Sequence, residues 1–443
     1  MSALDTIFAV SSGAGRAGVC VFRLSGPDTR RIVEALTGRR KPKARYASLE
    51  TFIGPDQQPI DKGLLIFFKG PASFTGEDSA EFHTHGSEAV IIAMSEAFLK
   101  AGARQAGPGE FTRRAFDHGK MDLTEAEGLA DLIDAQTDGQ RRQAFRQMDG
   151  GLRAVYDGWR EGLIDALAAI EGEIDFPDEQ DVPDALSHAA YEPLSRVILD
   201  MERALKDGIR GEKMRSGIHV AILGPPNAGK STLLNRLAQR EAAIVSDQAG
   251  TTRDVIEVQV NIAGIPVSVA DTAGLRDASD DIEAEGVRRA RGRAAEADLR
   301  IGVMSGDTLE ESGHLTALLQ SGDLLLLNKL DQTKFSGPDG PFKTFAVSAK
   351  DGTGFDKFYK ALETIIISRF ALTENPGLTR ARHKDCTERA VSALTRGRGN
   401  LASAPELAGD DVRAALHAIK ELAGEADIEA VLGAIFARFC IGK

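Results

Sequence analysis

The chain has 443 residues, 42% hydrophobic and 27% charged, with a formal net charge of -12 at pH 7 and three cysteines. That length exceeds one ordinary core and predicts about three domains; the composition excludes a disordered or fibrous chain, and the acidic balance argues against a broad nucleic-acid-coating surface. Cys20, Cys386 and Cys440 lack paired spacing, which argues against a disulfide framework or a structural zinc site.

Residues 1–120 alternate short apolar strands with helix-like stretches and read as a compact α+β domain. Residues 19–24 and 64–68 have the pattern of strands, and 88–101 that of a helix. The opening residues lack the basic start and long apolar stretch of a secretory signal, and no apolar run approaches the ~20 residues of a membrane span. A soluble cytoplasmic chain is therefore expected. Arg39, Arg40, Lys41, Lys43 and Arg45 cluster closely, as do Arg288, Arg289, Arg291 and Arg293; each cluster reads first as a solvated face, with a local basic patch left open. His83 and His85 stand two apart with no third ligand nearby, so a metal site is not expected there.

Residues 121–215 turn helical: Val155, Trp159, Leu163, Leu167 and Ile170 recur at helical spacing, as do Leu194, Val197, Ile198, Met201 and Leu205. Residues 216–375 alternate strands with helices, and residues 376–443 return to helix with two apolar stripes, Val412 to Ile419 and Ile428 to Phe439. Amphipathic helices need partners, so the simplest arrangement pairs the helices on either side of an inserted α/β domain. The fold class expected is multidomain: an α+β N-terminal domain, a discontinuous all-α domain and an inserted Ras-like P-loop domain.

The inserted stretch carries the chemistry. Gly224-Pro225-Pro226-Asn227-Ala228-Gly229-Lys230-Ser231 is a full G-x-x-x-x-G-K-[ST] pattern, preceded by the apolar run Ile218–Leu223 and followed by a helical run from Thr232. Such a loop closes backbone N–H groups around phosphate at a helix N-terminus. Lys230 then neutralises the β- and γ-phosphates, and Ser231 ligates Mg²⁺. Asp271-Thr272-Ala273-Gly274 matches D-x-x-G, Asn328-Lys329-Leu330-Asp331 matches N-K-x-D after the buried run Leu324–Leu327, and Ser348-Ala349-Lys350 follows strand-like residues 344–347. Asp331 accepts the N1–H and 2-amino donors of guanine, which adenine lacks. The ordered set predicts GTP. Gly250-Thr251-Thr252-Arg253-Asp254 lies where a switch I loop belongs, with Thr252 expected to close on Mg²⁺ and the γ-phosphate, and Ser246, Asp247, Gln248, Ala249, Gly250, Thr251 and Thr252 are expected among the nucleotide-binding residues. Leu275 follows Gly274 where Ras-like proteins carry the glutamine that orients the attacking water, so either hydrolysis is very slow or another group positions the water.

G-x-P-N-A-G-K-S, G-T-T-R-D and D-T-A-G-L-R within a helical host, together with Phe74-Thr75-Gly76-Glu77-Asp78 and the terminal Cys440-Ile441-Gly442-Lys443, resemble the MnmE (TrmE) tRNA-modification GTPases. The resemblance covers the whole chain. It implies a homodimer acting with the FAD-dependent MnmG protein on tRNA. Together they install a carboxymethylaminomethyl or aminomethyl group on carbon five of the wobble uridine, with a one-carbon unit from 5-formyl- or methylene-tetrahydrofolate. It also implies potassium activation, with K⁺ held by Asn227, Ser246, Gln248 and Thr251, and Glu283 as the carboxylate that orients water. Arg23, Glu81, Lys120 and Lys443 match the family's folate contacts, and Cys440 is either part of the modification chemistry or a helix-packing thiol. Two other readings stay open: a ribosome-assembly or RNA-chaperone GTPase without modification chemistry, and a folate-dependent transferase that GTP only regulates.

Overall fold

The computed structural model describes residues 5–13, 15–39, 41–175, 186–240, 257–271, 292, 294–306, 312–332, 336–371, 377–426, 429–437, 439 and 441–442. They form two compact units, one of Met1–Ala130 with Lys420–Lys443, the other of Asp131–Ile419. Among the described residues no helix is long and apolar enough to cross a membrane.

The first unit is built on a six-stranded sheet of β1 (Ile7–Val10), β2 (Ala17–Ser25), β3 (Ser48–Ile53), β4 (Pro59–Phe68), β5 (Ser79–Gly86) and β6 (Arg104–Gln105), in the order β3-β4-β5-β2-β1-β6. All neighbours are antiparallel except β1 and β6. Alternation along β2 and β5 turns Phe22, Leu24, Ala80 and Phe82 inward, as a half-buried sheet requires. They pack with Phe8, Phe52, Met94 and Phe98 under the helices α1 (Thr29–Thr37) and α2 (Glu88–Lys100). The rings of Phe82 and Phe98 meet edge to face at 5.0 Å, an arrangement the ring quadrupoles favour.

Two helices follow, α3 (Glu110–Asp117) and α4 (Leu123–Asp134). The end of the chain returns to them: Phe436 and Phe439 share one apolar cluster with Phe116, Leu123 and Ala126. Beyond it, Ile441 bridges Pro108, and the Ser11 hydroxyl donates to the Gly442 carbonyl at 2.9 Å. Leu432, Phe436 and Phe439 of the last apolar stripe thus pack both on α4, within the stretch expected to be helical, and on Phe116 of α3.

The second unit begins with α5 (Asp138–Met148), α6 (Gly151–Asp175) and α7 (Tyr191–Ser216). A reciprocal capping box between Thr137 and Gln140 starts α5. After the inserted sheet come α11 (Ala381–Asn400) and α12 (Pro405–Ala423), with α11 packed on α7.

The inserted domain contains β7 (Ile218–Leu223), α8 (Lys230–Arg240), β8 (Glu257–Ile262), β9 (Ile265–Asp271), β10 (Leu299–Met304), α9 (Ser312–Thr316), β11 (Leu324–Leu327), β12 (Lys343–Ala346) and α10 (Phe355–Phe370); α13 (Glu429–Phe436) is the terminal helix of the first unit. Its sheet runs β12-β11-β10-β7-β9-β8. Every pairing is parallel except the β8–β9 hairpin. All six residues of β10 and all four of β11 are buried, as parallel strands covered on both faces must be. The strand order reverses at β7, and a crevice opens beyond the carboxyl ends of β7, β11 and β12.

Candidate functional site

The loop leaving β7 lies over that crevice. Lys230, Ser231, Asn227, Asn328, Lys329, Asp331, Ala349 and Lys350 line a cavity of about 550 Å³. Lys230 is only 5% exposed, and its ammonium donates to the carbonyls of Gly224 at 2.8 Å and Pro225 at 2.7 Å. Those carbonyls fix the cation at the N-terminus of α8, where the orphan N–H groups and the helix dipole already favour anions. Asn227 holds φ 59° and Gly229 φ 96°. A Cβ at Gly229 would sit 2.1 Å from the Asn328 side-chain amide, so this residue is glycine for lack of space as well as for its backbone angle.

The other wall is tied to the phosphate loop through Asn328. Its Nδ2 donates to Ala228 O at 2.8 Å, and its Oδ1 accepts from Ala349 N at 2.9 Å. Both bonds are buried. One oxygen of Asp331 accepts from the Ser348 hydroxyl at 2.8 Å, which orients a carboxylate that lines the cavity. The same hydroxyl accepts from Asp351 N at 3.3 Å. The arrangement supplies backbone donors and a cation at one end and an oriented carboxylate at the other. That suits a purine nucleotide whose base carries adjacent donors.

Arg236 ties α8 to the Ala349–Lys350 wall and has no place in the motifs. From α8 it donates Nε to Ala349 O at 2.6 Å and Nη2 to Lys350 O at 2.7 Å, while its guanidinium lies 5.7 Å from the Phe355 ring centroid. The only sequence signal was its helical spacing after the phosphate loop.

Of the other expected nucleotide residues, Thr232 also lines the cavity. The backbone of Asp271 ends β9 in register with Ile222 of β7, which sets the start of the D-x-x-G element beside the phosphate loop. Thr272, Ala273, Gly274, the loop from Ser246 to Thr252, Glu283 and the arginines of the 288–293 cluster lie outside the described residues, as do Cys440 and Lys443.

In the first unit, Arg23 and Glu81 are cross-strand neighbours on β2 and β5 and form an ion pair at 3.1 Å. The Arg23 guanidinium lies 5.2 Å from the Phe74 ring centroid and 5.9 Å from that of Phe111. Lys120 is exposed, and its side chain passes over Gly76. Arg23 and Lys120 therefore border one loop, residues 73–77, and Glu81 is joined to it through Arg23. That loop is fixed from beneath: Glu77 accepts from Ser25 Oγ at 2.7 Å and pairs with Arg114 at 3.1 Å, and the Asp78 carbonyl accepts from Gly26 N at 3.1 Å. His83 and His85 bond to carboxylates, Glu81 at 3.5 Å and Asp61 at 2.9 Å.

Comparison with known proteins agrees with this geometry. The family description "MnmE helical domain" matches residues 123–440, and "GTP-binding protein TrmE N-terminus" matches residues 6–120. A tRNA modification GTPase MnmE of Maricaulis maris is 55% identical over 99% of both chains. Its namesake in Parvibaculum lavamentivorans is 50% identical over 99% of this chain and 100% of its own, and that of Hyphomonas neptunium 46% identical over the whole of both. With a phosphate loop, an oriented carboxylate in the opposite wall and likeness over its full length, the chain belongs to the MnmE family of tRNA modification GTPases.

Proposed function

We propose that this chain is a potassium-activated, homodimeric GTPase of the cytoplasm. With an FAD-dependent MnmG partner it adds a carboxymethylaminomethyl or aminomethyl group to carbon five of the tRNA wobble uridine, using a folate one-carbon unit. The observation that carries the reading is the cavity in which Lys230 and Ser231 face Asp331 across the Asn328 tie, in a chain of this family. The three-part division into residues 1–120, 121–215 with 376–443, and 216–375 belongs to the same reading.

In this mechanism Lys230 and the N–H groups at the start of α8 hold the β- and γ-phosphates, and Asp331 selects guanine. The donors fit the implied cations: Ser231 brings a hard hydroxyl oxygen to the cavity and Asn227 an amide oxygen. Ser231 and Thr252 would hold Mg²⁺; Asn227, Ser246, Gln248 and Thr251 would hold K⁺. The two cations supply positive charge for the transferring phosphoryl group. Glu283 orients the attacking water in place of a glutamine. In the first unit, the carboxylate of Glu81 suits the N–H edge of a pterin, and Arg23, Lys120 and Lys443 suit the formyl oxygen and glutamate tail. Cys440 serves either the modification chemistry or helix packing.

Mass-spectrometric nucleoside analysis of tRNA from a strain lacking the chain tests the reading. Loss of the carbon-five side chain, restored by complementation, is expected; an unchanged profile sinks the modification pathway. Glu283→Ala should abolish K⁺-stimulated hydrolysis while leaving GTP binding intact, and parental turnover in saturating K⁺ removes Glu283 from the site. Calorimetric titration with 5-formyl-tetrahydrofolate should show binding that Glu81→Ala weakens, and a flat titration of the parent removes the folate assignment.

A further inference from the structure

The loop between α1 and β3 carries charge opposite to that of the chain. Lys41, Lys43, Arg45 and Tyr46 are all exposed there, Tyr46 by 54%, on a chain whose formal net charge is -12. The loop is a fixed platform. Ala44 bridges Phe67 of β4, and Arg45 N donates to Phe67 O at 2.7 Å. The Arg45 guanidinium bonds the Ala72 carbonyl and lies 5.7 Å from the Phe68 ring centroid. These contacts hold Arg45 at φ 57°, a left-handed backbone that a long side chain adopts only where its surroundings over-determine it. At one border, Arg39 pairs with Glu50 at 2.6 Å.

With Arg45 folded back, the groups directed to solvent are the ammoniums of Lys41 and Lys43, that of the adjacent exposed Lys69, and the Tyr46 ring. The Lys43 ammonium stands 5.2 Å from the Tyr46 ring centroid. Cations interleaved with an exposed aromatic ring are the two halves of single-stranded nucleic-acid recognition: ammonium for phosphate, ring for an unpaired base. An acidic polypeptide would satisfy the lysines and leave the ring unused. We infer that residues 41–46, with Lys69, form a docking surface for an unpaired segment of tRNA, its phosphates on Lys41, Lys43 and Lys69 and one base stacked on Tyr46. The inference rests on the tRNA reading above and names the surface that serves it. It also assigns a role to a basic cluster that the sequence alone reads as a solvated face.

The test is fluorescence anisotropy of labelled tRNA with the full-length chain across a KCl series. Lys41→Gln/Lys43→Gln should shallow the slope of log affinity against log salt by about 1.4, at roughly 0.7 per phosphate contact of a single strand. Tyr46→Ala should weaken binding roughly tenfold with an unchanged slope, and Tyr46→Phe should bind as the parent does. All three variants should hydrolyse GTP at the parental rate, which reports an intact chain. Parental slope in the lysine variant together with parental affinity in Tyr46→Ala overturns the inference. Poly-glutamate competing as well as tRNA at equal charge overturns the RNA assignment. A parent that binds no tRNA, beside a deletion strain that lacks the modification, removes this surface and leaves the proposed function standing; a deletion strain with normal nucleosides removes the function itself.

Discussion

Replacing Asn328 with alanine should disable the nucleotide cavity without touching any group expected to contact phosphate. The side chain is 3% exposed and makes two buried bonds, one to Ala228 O at 2.8 Å and one from Ala349 N at 2.9 Å. Truncation strands an acceptor and a donor, each costing about 1–3 kcal/mol when no partner replaces the lost one. Because Asn328 borders the cavity, water can enter the vacated space and recover part of that loss. The expected cost is therefore near the lower end, about 2 kcal/mol of G-domain stability. Nucleotide must then restore the register of the two loops, so GDP affinity should fall roughly thirtyfold if the whole cost appears in binding. A fluorescent GDP analogue measures the affinity, and urea denaturation followed in the G domain measures the stability. Asn328→Asp sharpens the case: its carboxylate keeps the bond from Ala349 N but faces the Ala228 carbonyl, so it should bind no better than alanine at neutral pH. Gly229→Ala drives a methyl into the same amide, which a Cβ would approach to 2.1 Å. The clash disappears when Asn328 is alanine, so the double variant should lose less than the sum of the two, keeping the strain of alanine at φ 96°. Parental GDP affinity and an unchanged midpoint in Asn328→Ala would falsify the tie between the two walls.

Arg236→Ala should weaken GDP binding roughly tenfold by freeing the Ala349 and Lys350 carbonyls from two charge-assisted donors. Arg236→Lys should recover little, since a single ammonium cannot reproduce the fork; stopped-flow dissociation of labelled GDP gives both answers. Gly442→Ala places a Cβ 2.1 Å from Val10 O at a residue with φ 103°, and that strain should cost about 1–3 kcal/mol. The last turn should then detach, seen as faster hydrogen exchange across α13; unchanged protection there contradicts the packing described. Acid should act on the first unit through Asp5, whose carboxyl is held below its ordinary value of 3.8, foremost by the hydrogen bond from Arg104 and also by Arg114. A depressed carboxyl stabilises the fold fully above the unfolded value and loses that contribution as pH falls through the folded one. Stability of this unit should be flat through neutral pH and decline below about pH 4, less steeply in Arg104→Ala. Equal acid sensitivity in the two proteins excludes Asp5 as a cause.

The nucleotide cavity was legible because its parts are local. Leu324–Leu327 is a run of four leucines that only a strand covered on both faces would bury, and N-K-x-D follows it directly in the chain. The same locality makes the phosphate loop readable: a strand, a glycine-rich bend and a helix start lie within sixteen residues of sequence, from Ile218 to Leu233. Arg236 was hidden for the opposite reason. Its partners Ala349 and Lys350 stand more than a hundred residues away, and helical spacing says which face a side chain occupies but not which carbonyl meets it. The final helix shows a limit of another kind. Its apolar stripe announces that something must be buried, and the stripe is equally compatible with any apolar surface of the right width. What selects the N-terminal unit is shape: Gly109, at φ 64°, leaves room where a Cβ would stand 2.6 Å from Phe436 O. Gly442 leaves room again against Val10. Each glycine reads singly as a turn, and only the fold shows that both are gaps into which the end of the chain fits. Gly109→Ala should therefore loosen α13 as Gly442→Ala does, although the two residues lie over three hundred positions apart in the sequence; tight exchange protection of α13 in Gly109→Ala would break that link.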